Sequence, residues 1–149
     1  MNSYENYYDD FVIGDLINHP LEKTISSGEH QLFTLLTMNH HLSHISSKKA
    51  VDSEFGKILV NGTYVLSLIV GITVPDVSFN AVANLGYESV KHVAPVFEGD
   101  TLRAETRIVG KRLSKSRDGY GLVEVETYGF RGKEVVLKLT RNILIKCHA

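Results

Sequence analysis

Cysteine is nearly absent: the 149 residues contain one, Cys147. A lone cysteine excludes an intrachain disulfide framework and a thiolate metal cluster, and near the end of the chain it reads as inert. An excess of one charge is missing too, because 16 Lys and Arg face 17 Asp and Glu for a net charge of −1. That balance, with a pI near 6.6, removes the global electrostatic case for nucleic acid or an anionic membrane as partner. Long apolar runs are lacking as well. The longest, Tyr64–Val74, is diluted only by Ser67, Gly71 and Thr73, yet it falls short of the ~20 apolar residues that span a bilayer. Met1–Asp10 is polar and acidic, without the basic and apolar segments of a signal peptide, so a cytoplasmic protein is expected. No repeat, low-complexity stretch or linker interrupts the chain. Hydrophobic residues at 43% and charged residues at 22% suit a folded soluble protein rather than a disordered one. One domain over 1–149 is the expectation, since ~150 residues is the usual size of a single core.

The run around Tyr64–Val74 begins after Asn61-Gly62 and meets Pro75, which does not continue a helix. Gly62–Val74 would make a helix of ~20 Å, apolar on every side and so wrapped by other structure. Its β-branched content also fits a strand; a buried helix is the preferred reading. Ser26-Ser27-Gly28-Glu29 has the form of a capping box, and Leu32, Leu35 and Leu36 follow at helical spacing, which predicts a helix over Ser27–Met38. From Val82 onward the period is two. Leu102, Ala104, Thr106 and Ile108 alternate with Arg103, Glu105 and Arg107; Val123 and Val125 with Glu124 and Glu126; Val135, Leu137 and Leu139 with Val136, Lys138 and Thr140. Glu98-Gly99-Asp100, Arg117-Asp118-Gly119 and Arg131-Gly132-Lys133 are turn compositions between them. The carboxy-terminal half therefore reads as a largely antiparallel meander covering a buried helix, an α+β class.

Groups able to move protons near neutral pH concentrate in Asn39-His40-His41-Leu42-Ser43-His44. Histidine has the reference pKa, ~6.5, that suits proton transfer at pH 7. Solvated loop histidines are the bland reading of this run. A metal site is a second, because His40 and His44 are spaced to share a helical face. However, the run holds no Asp, Glu or Cys, and His-Glu-x-x-His is missing. The absence of Gly-x-Gly-x-x-Gly, of a phosphate loop and of Gly-x-Ser-x-Gly leaves nucleotide cofactors and a serine nucleophile without support.

Five segments in order resemble one family. Thr37–His44 is similar to the active-site loop Gly-Asp-x-Asn-Pro-Leu-His of MaoC-like hydratases and dehydratases, the (R)-specific enoyl-CoA hydratase group. Phe55-Gly56-Lys57-Ile58-Leu59-Val60-Asn61-Gly62 resembles their Phe-Gly-x-x-Ile-Ala-His-Gly entry to the central helix. Ala94-Pro95-Val96-Phe97-Glu98-Gly99-Asp100-Thr101-Leu102 resembles Ala-Pro-Val-x-x-Gly-Asp-Thr-Leu. Lys111-Arg112-Leu113-Ser114-Lys115-Ser116-Arg117 and Asp10-Phe11-Val12-Ile13-Gly14-Asp15 match a basic hairpin and an opening motif. The resemblance runs from about Phe11 to Ile145. Within the family, Asn39, Val-Asn-Gly before the helix and Val82–Tyr87 are closest to the mesaconyl-CoA hydratase and β-methylmalyl-CoA dehydratase-like subgroup.

The resemblance implies a hot-dog fold, a long central helix wrapped by a curved antiparallel sheet, in a symmetric dimer or a higher assembly of dimers. It implies a lyase that adds water to, or removes it from, C2=C3 of an acyl thioester. His44 occupies the family's acid–base position, and Gly62 the glycine whose N–H faces the thioester oxygen. Asn39 stands where Asp is usual, Leu42 where Pro is, and Ser43 where Leu is. An amide holds water but transfers no proton, so either His44 performs both transfers while Asn39 orients water, or the domain binds thioesters without turnover. No cofactor or metal is expected; coenzyme A or an acyl carrier protein enters only as part of the substrate, and a biosynthetic dehydratase on carrier-protein thioesters is the alternative enzyme. Thioesterase is open on fold alone. Four further residues are candidate substrate contacts. Asn61 reads as a helix cap or a ligand, His92 as a channel or packing residue, and His41 as a loop histidine or a substitute base. Arg117, with Lys111, Arg112 and Lys115, reads as a solvated hairpin or a holder of coenzyme A phosphates.

Overall fold

The computed structural model describes residues 4–149. Five antiparallel strands form one sheet: β1 (Leu16–Thr24), β2 (Ala81–His92), β3 (Thr101–Leu113), β4 (Tyr120–Arg131) and β5 (Glu134–Lys146), in the order β1-β3-β4-β5-β2. Four helices precede β2: α1 (Ser27–Leu36), the short α2 (Leu42–Ile45) and α3 (Ser47–Val51), and the central α4 (Gly62–Thr73). This is the expected hot-dog architecture, a long helix against one face of an antiparallel sheet. No helix of the described residues is long and apolar enough to cross a membrane.

Strands β3, β4 and β5 are joined by the anticipated turns, with Gly119 (φ 75) and Gly132 (φ 59) supplying the left-handed conformation at the two hairpins. The sheet is not a simple meander, however: β2 crosses over to pair with β5 and occupies the far edge. The opposite edge, β1, shows no clean alternation and contains Pro20. Proline cannot donate to a ladder and is tolerated at an edge, where the β1–β3 register shifts between Asn18 and Glu22.

The capping box forms as expected: Ser26 Oγ accepts from Glu29 N–H at 3.3 Å, and Glu29 Oε2 accepts from Ser26 N–H at 3.3 Å. Helix α1 ends two residues earlier than anticipated. Met38 adopts φ 60, with Met38 N–H bonded to Leu35 O and Asn39 N–H to Thr34 O, a Schellman closure. Its buried side is His30 and Thr34, not the leucines; Leu32, Leu35 and Leu36 face outward. The reason is polar: His30 is held inside by Glu98, which orients the helix.

Helix α4 forms, with Val65, Ile69 and Ile72 buried against Leu102, Ala104, Leu137 and Leu139 of the sheet. It is not wrapped on every side, since the row Thr63, Ser67, Gly71, Val74 is exposed. Pro75 does not end the helical path either. Val74–Ser78 continues directly from α4 as one π turn with Pro75 near its start. A second apolar cluster joins Tyr8, Phe11 and Val77 to Ile108, Val123, Val125, Ile143 and Ile145.

Between the two clusters the inward positions turn polar. Thr106 and Thr127 are cross-strand partners joined at 2.9 Å, His19 bonds Thr106 at 2.8 Å and Asp76 at 2.7 Å, and Arg141 donates to Thr73 Oγ1 at 2.7 Å. Burial pushes the His19 pKa down, and the Arg141 charge adds to this, outweighing the pull of Asp76.

Ile69 of α4 packs closely over Gly129 of β4. A Cβ on Gly129 would lie 2.7 Å from Ile69 Cδ1, so this glycine sets how closely α4 approaches β4. Ile69→Ala is expected to cost ~2–5 kcal/mol through lost transfer energy plus an unfilled cavity, read as a lower urea midpoint at unchanged slope.

Candidate active site

The segment between α1 and α4 is short on regular structure and long on backbone anchors. His41 caps α2, its Nδ1 accepting from Ser43 N–H and Oγ–H at 3.3 and 2.6 Å. This turn carries His44 to Leu59, where two bonds fasten it: Leu59 N–H donates to Ser43 O at 3.1 Å, and His44 Nδ1–H donates to Leu59 O at 2.7 Å. A carbonyl only accepts, so Nδ1 carries the proton and the Nε2 lone pair is left for chemistry.

Leu59 and Val60 then run beside Phe97 and Val96 into the helix entry. Asn61 caps α4, with Oδ1 accepting from Thr63 N–H at 3.0 Å and Thr63 Oγ1–H at 2.7 Å. The cap takes the Thr63 N–H and leaves that of Gly62 at the head of the helix, where the first N–H groups lack intrahelical partners and carry partial positive charge.

His44 and Gly62 line one cavity of about 320 Å³. Phe55, Leu59, Val60, Val65 and the His92–Val96 segment complete its walls, which are apolar apart from the two histidines. His92 is a cavity residue, and its ring lies close to Gly62: a Cβ there would stand 3.0 Å from His92 Cε1. A side chain at the helix entry would therefore press on the His92 ring. The site thus brings together an imidazole with one unengaged ring nitrogen, a backbone N–H at a helix head and an apolar chamber, groups that could serve as a base and as a donor to a developing oxyanion.

The remaining candidates are placed differently. Asn39 is half-buried in the turn after Met38, its Oδ1 accepting from His41 N–H at 3.4 Å; it stands at the mouth of the loop and does not line the cavity. His41 and Asn61 serve as caps. Arg117 stacks on Tyr120 at 4.2 Å in the β3–β4 hairpin, away from the lining residues. Among the described residues no group of three His, Cys, Asp or Glu is arranged to hold a metal ion.

Sequence reasoning missed the residues beneath the site. His30, fully buried, donates from Nδ1 to Glu98 Oε1 at 2.7 Å and accepts the Asn61 N–H at Nε2 at 2.9 Å. Gln31 donates to Glu98 Oε1 at 3.2 Å and to His44 O at 2.6 Å. One carboxylate thus steadies both the His44 backbone and the helix entry. The available signal was a histidine inside the capping-box helix and a glutamate in the Pro-Val-x-x-Gly-Asp segment, 68 positions apart.

Burial acts against the Glu98 charge, but hydrogen bonds from His30, Gln31 and Ser27 outweigh it and hold the carboxyl below its usual 4.5. A pKa lowered by folding contributes stability that is present above the unfolded value and lost as pH falls through the folded one. Acidification from about pH 6 to about pH 3.5 is therefore expected to lower the urea midpoint of the wild type more than that of Glu98→Gln.

Comparisons with known proteins identify the family and the fold. Residues 10–128 match the family described as "MaoC like domain". The chain is 36% identical over 141 residues to a mesaconyl-CoA hydratase of Cereibacter sphaeroides, covering 94% of this chain and 41% of that protein. It is 34% identical to a beta-methylmalyl-CoA dehydratase of Chloroflexus aurantiacus, covering 95% and 40%. The chain therefore spans about two fifths of the length of these curated relatives. Among solved structures, a monoamine oxidase regulatory protein from Archaeoglobus superposes with a TM-score of 0.83 at 27% identity, covering 97% of this chain and 96% of that one.

Proposed function

The chain belongs to the MaoC-like domain family, and from that premise we propose that it is a hydro-lyase acting at C2=C3 of an enoyl-CoA or 3-hydroxyacyl-CoA. The observation that carries the reading is the shared cavity: His44, with Nδ1 pinned and Nε2 free, and the uncapped Gly62 N–H at the head of α4. In the hydration direction His44 Nε2 takes a proton from water as the oxygen attacks C3. The Gly62 N–H stabilises the charge that develops on the thioester oxygen, and the imidazolium returns its proton at C2. The water-orienting role given to Asn39 rests on its position in the family motif, since its side chain stands outside the cavity lining and its Oδ1 accepts from His41 N–H. The apolar walls from Val65, Phe55 and Val93–Val96 suit an acyl chain. The curated relatives' names support a CoA thioester, including branched dicarboxylic groups.

Asn39 favours one other reading, a domain that binds acyl thioesters without converting them, because an amide supplies no proton. A dehydratase on carrier-protein thioesters differs only in the carrier, and the same acyl group assayed on both carriers separates the two. We further propose a symmetric dimer. The outer edge of β2 is free, and Phe79, Val82, Leu85, Tyr87 and Val93 around it are exposed, a combination that monomers avoid.

The deciding experiment is mass spectrometry of an acyl-CoA panel incubated in heavy-oxygen water, which detects label at C3. On an accepted thioester, His44→Ala is expected to lose ~10²–10⁴-fold in turnover. Asn39→Ala is expected to lose about tenfold, as for one orienting hydrogen bond, and Asn39→Asp to retain or raise activity. Near-normal turnover by a folded His44→Ala protein would falsify the assigned base. The chemistry proposed needs no cofactor, so exhaustive chelation is expected to leave the rate unchanged; loss of activity that an added metal restores would overturn this.

A further inference from the structure

Of the side chains lining the 320 Å³ cavity only those of His44 and His92 are polar, and the proposed proton transfers leave His92 without a role. His92 ends β2, paired with Leu137 of β5, and side chains leave a strand roughly perpendicular to the sheet. Its ring turns to the helix side. The edge it presents to Gly62 carries both nitrogens: a Cβ on Gly62 would stand 3.0 Å from Cε1, 3.1 Å from Nε2 and 3.5 Å from Nδ1. The structural histidines of this fold are held differently. His19 is bonded through its two ring nitrogens to Asp76 and Thr106, and His30 to Glu98 and the Asn61 N–H. Among the described residues no partner engages either ring nitrogen of His92.

We propose that His92 is a second donor to the thioester oxygen, its ring N–H acting beside the Gly62 N–H while His44 moves the protons. A carbonyl oxygen has two lone pairs, and Gly62 supplies only one donor at the head of α4. The apolar walls offer no competing hydrogen-bonding side chain, and in such surroundings a donor aimed at developing charge is worth more than in water. An imidazole carries at least one N–H whether neutral or protonated, so donation does not depend on its charge. Charge grows on the oxygen as water attacks C3 and the hydrogen bond strengthens, while the proton stays on His92 throughout.

This assignment rests on the hydro-lyase reading and divides its work between the two histidines. His44 has Nδ1 pinned to the Leu59 carbonyl, which fixes its tautomer and suits a base. His92 has no such partner, and its ring lies against the glycine assigned to the thioester oxygen. A second copy of the chain pairing along the outer edge of β2 leaves this arrangement in place, because strand pairing runs in the plane of the sheet and the ring stands out of it.

Butyryl-CoA, isotopically labelled at its thioester carbonyl, has no C2=C3 to hydrate and so tests the donor apart from turnover. Hydrogen bonds to a carbonyl oxygen lower its stretching frequency, which infrared difference spectroscopy of the intact protein reads. The wild type is expected to lower the band relative to free butyryl-CoA, His92→Phe to lower it less, and His92→Gln, whose amide keeps an N–H, to restore part of the shift. On an enoyl-CoA that the wild type converts, His92→Phe is expected to lose ~10²-fold in kcat with little change in KM, and His92→Gln to recover about tenfold of that loss. Should His92→Phe fail to fold, His92→Leu removes the donor with a smaller side chain. The proposal is overturned by a wild type that shifts no carbonyl band, by a shift that His92→Phe and His92→Leu leave intact, by a loss confined to KM, or by a His92→Gln protein no better than His92→Phe. A wild type that shifts the band but hydrates no enoyl-CoA refutes the hydro-lyase reading alone, and turnover with an unshifted band refutes the His92 donor alone.

Discussion

A single carboxylate, Glu98, holds three separate stretches of chain in one arrangement. It receives His30 and Gln31 from α1, and through them the Asn61 N–H and the His44 carbonyl. Each of these backbone groups would otherwise sit at the end of a helix or in an irregular segment, where unmet hydrogen bonds are most costly. The same contact explains why α1 turns its histidine inward and its leucines out. An apolar face would gain area, but His30 buried without Glu98 and Asn61 would leave both ring nitrogens unsatisfied. The orientation of α1 is thus set by polar pairing, and the placement of the candidate base follows from it.

The consequence for the site is rigidity bought with few residues. The loop from Thr37 to Val60 has only two short helices, yet the His44 ring and its neighbouring backbone are anchored to Leu59 and Gln31. Leu59 in turn bridges to Phe97, next to Glu98. A proton-transfer group must keep its geometry to a fraction of an ångström to be effective, and here the loop is clamped from both sides of the ring. His92 then closes the arrangement by packing close to Gly62 at the helix head.

Much of this was legible in the sequence where the determinants are local. The capping box, the apolar run headed by Gly62, and the alternation of β3, β4 and β5 depend on residues a few positions apart, and all three formed. Local reasoning was weaker where a distant partner decides. β1 carries Pro20 and no regular alternation, and it exists because β3 offers it a ladder. The leucine spacing in α1 suggested the wrong face, because Glu98 lies far along the chain. The motif resemblance singled out His44 and Gly62, which line one cavity, left His92 between a channel and a packing role, and could not show how Asn39 is held or which residues stand beneath. Arg141 did leave a trace: it is the one charged residue in the inward series Leu137, Leu139, Arg141, Ile143, Ile145.

The polar level between the two apolar clusters also bears on how the strands find their alignment. A slip of one residue turns a strand inside out and is excluded by hydrophobicity alone. A slip of two preserves the alternation, and a uniformly aliphatic interior would scarcely oppose it. Here Thr106, Thr127 and Arg141 lie level with His19 and Thr73, with leucine and valine above and below. Moving β4 or β5 by two positions would set hydroxyls and a guanidinium against hydrocarbon and strip each of its partner. The layer acts as a vernier mark, distinguishing the native alignment from the near-copies that the period of a strand would otherwise permit.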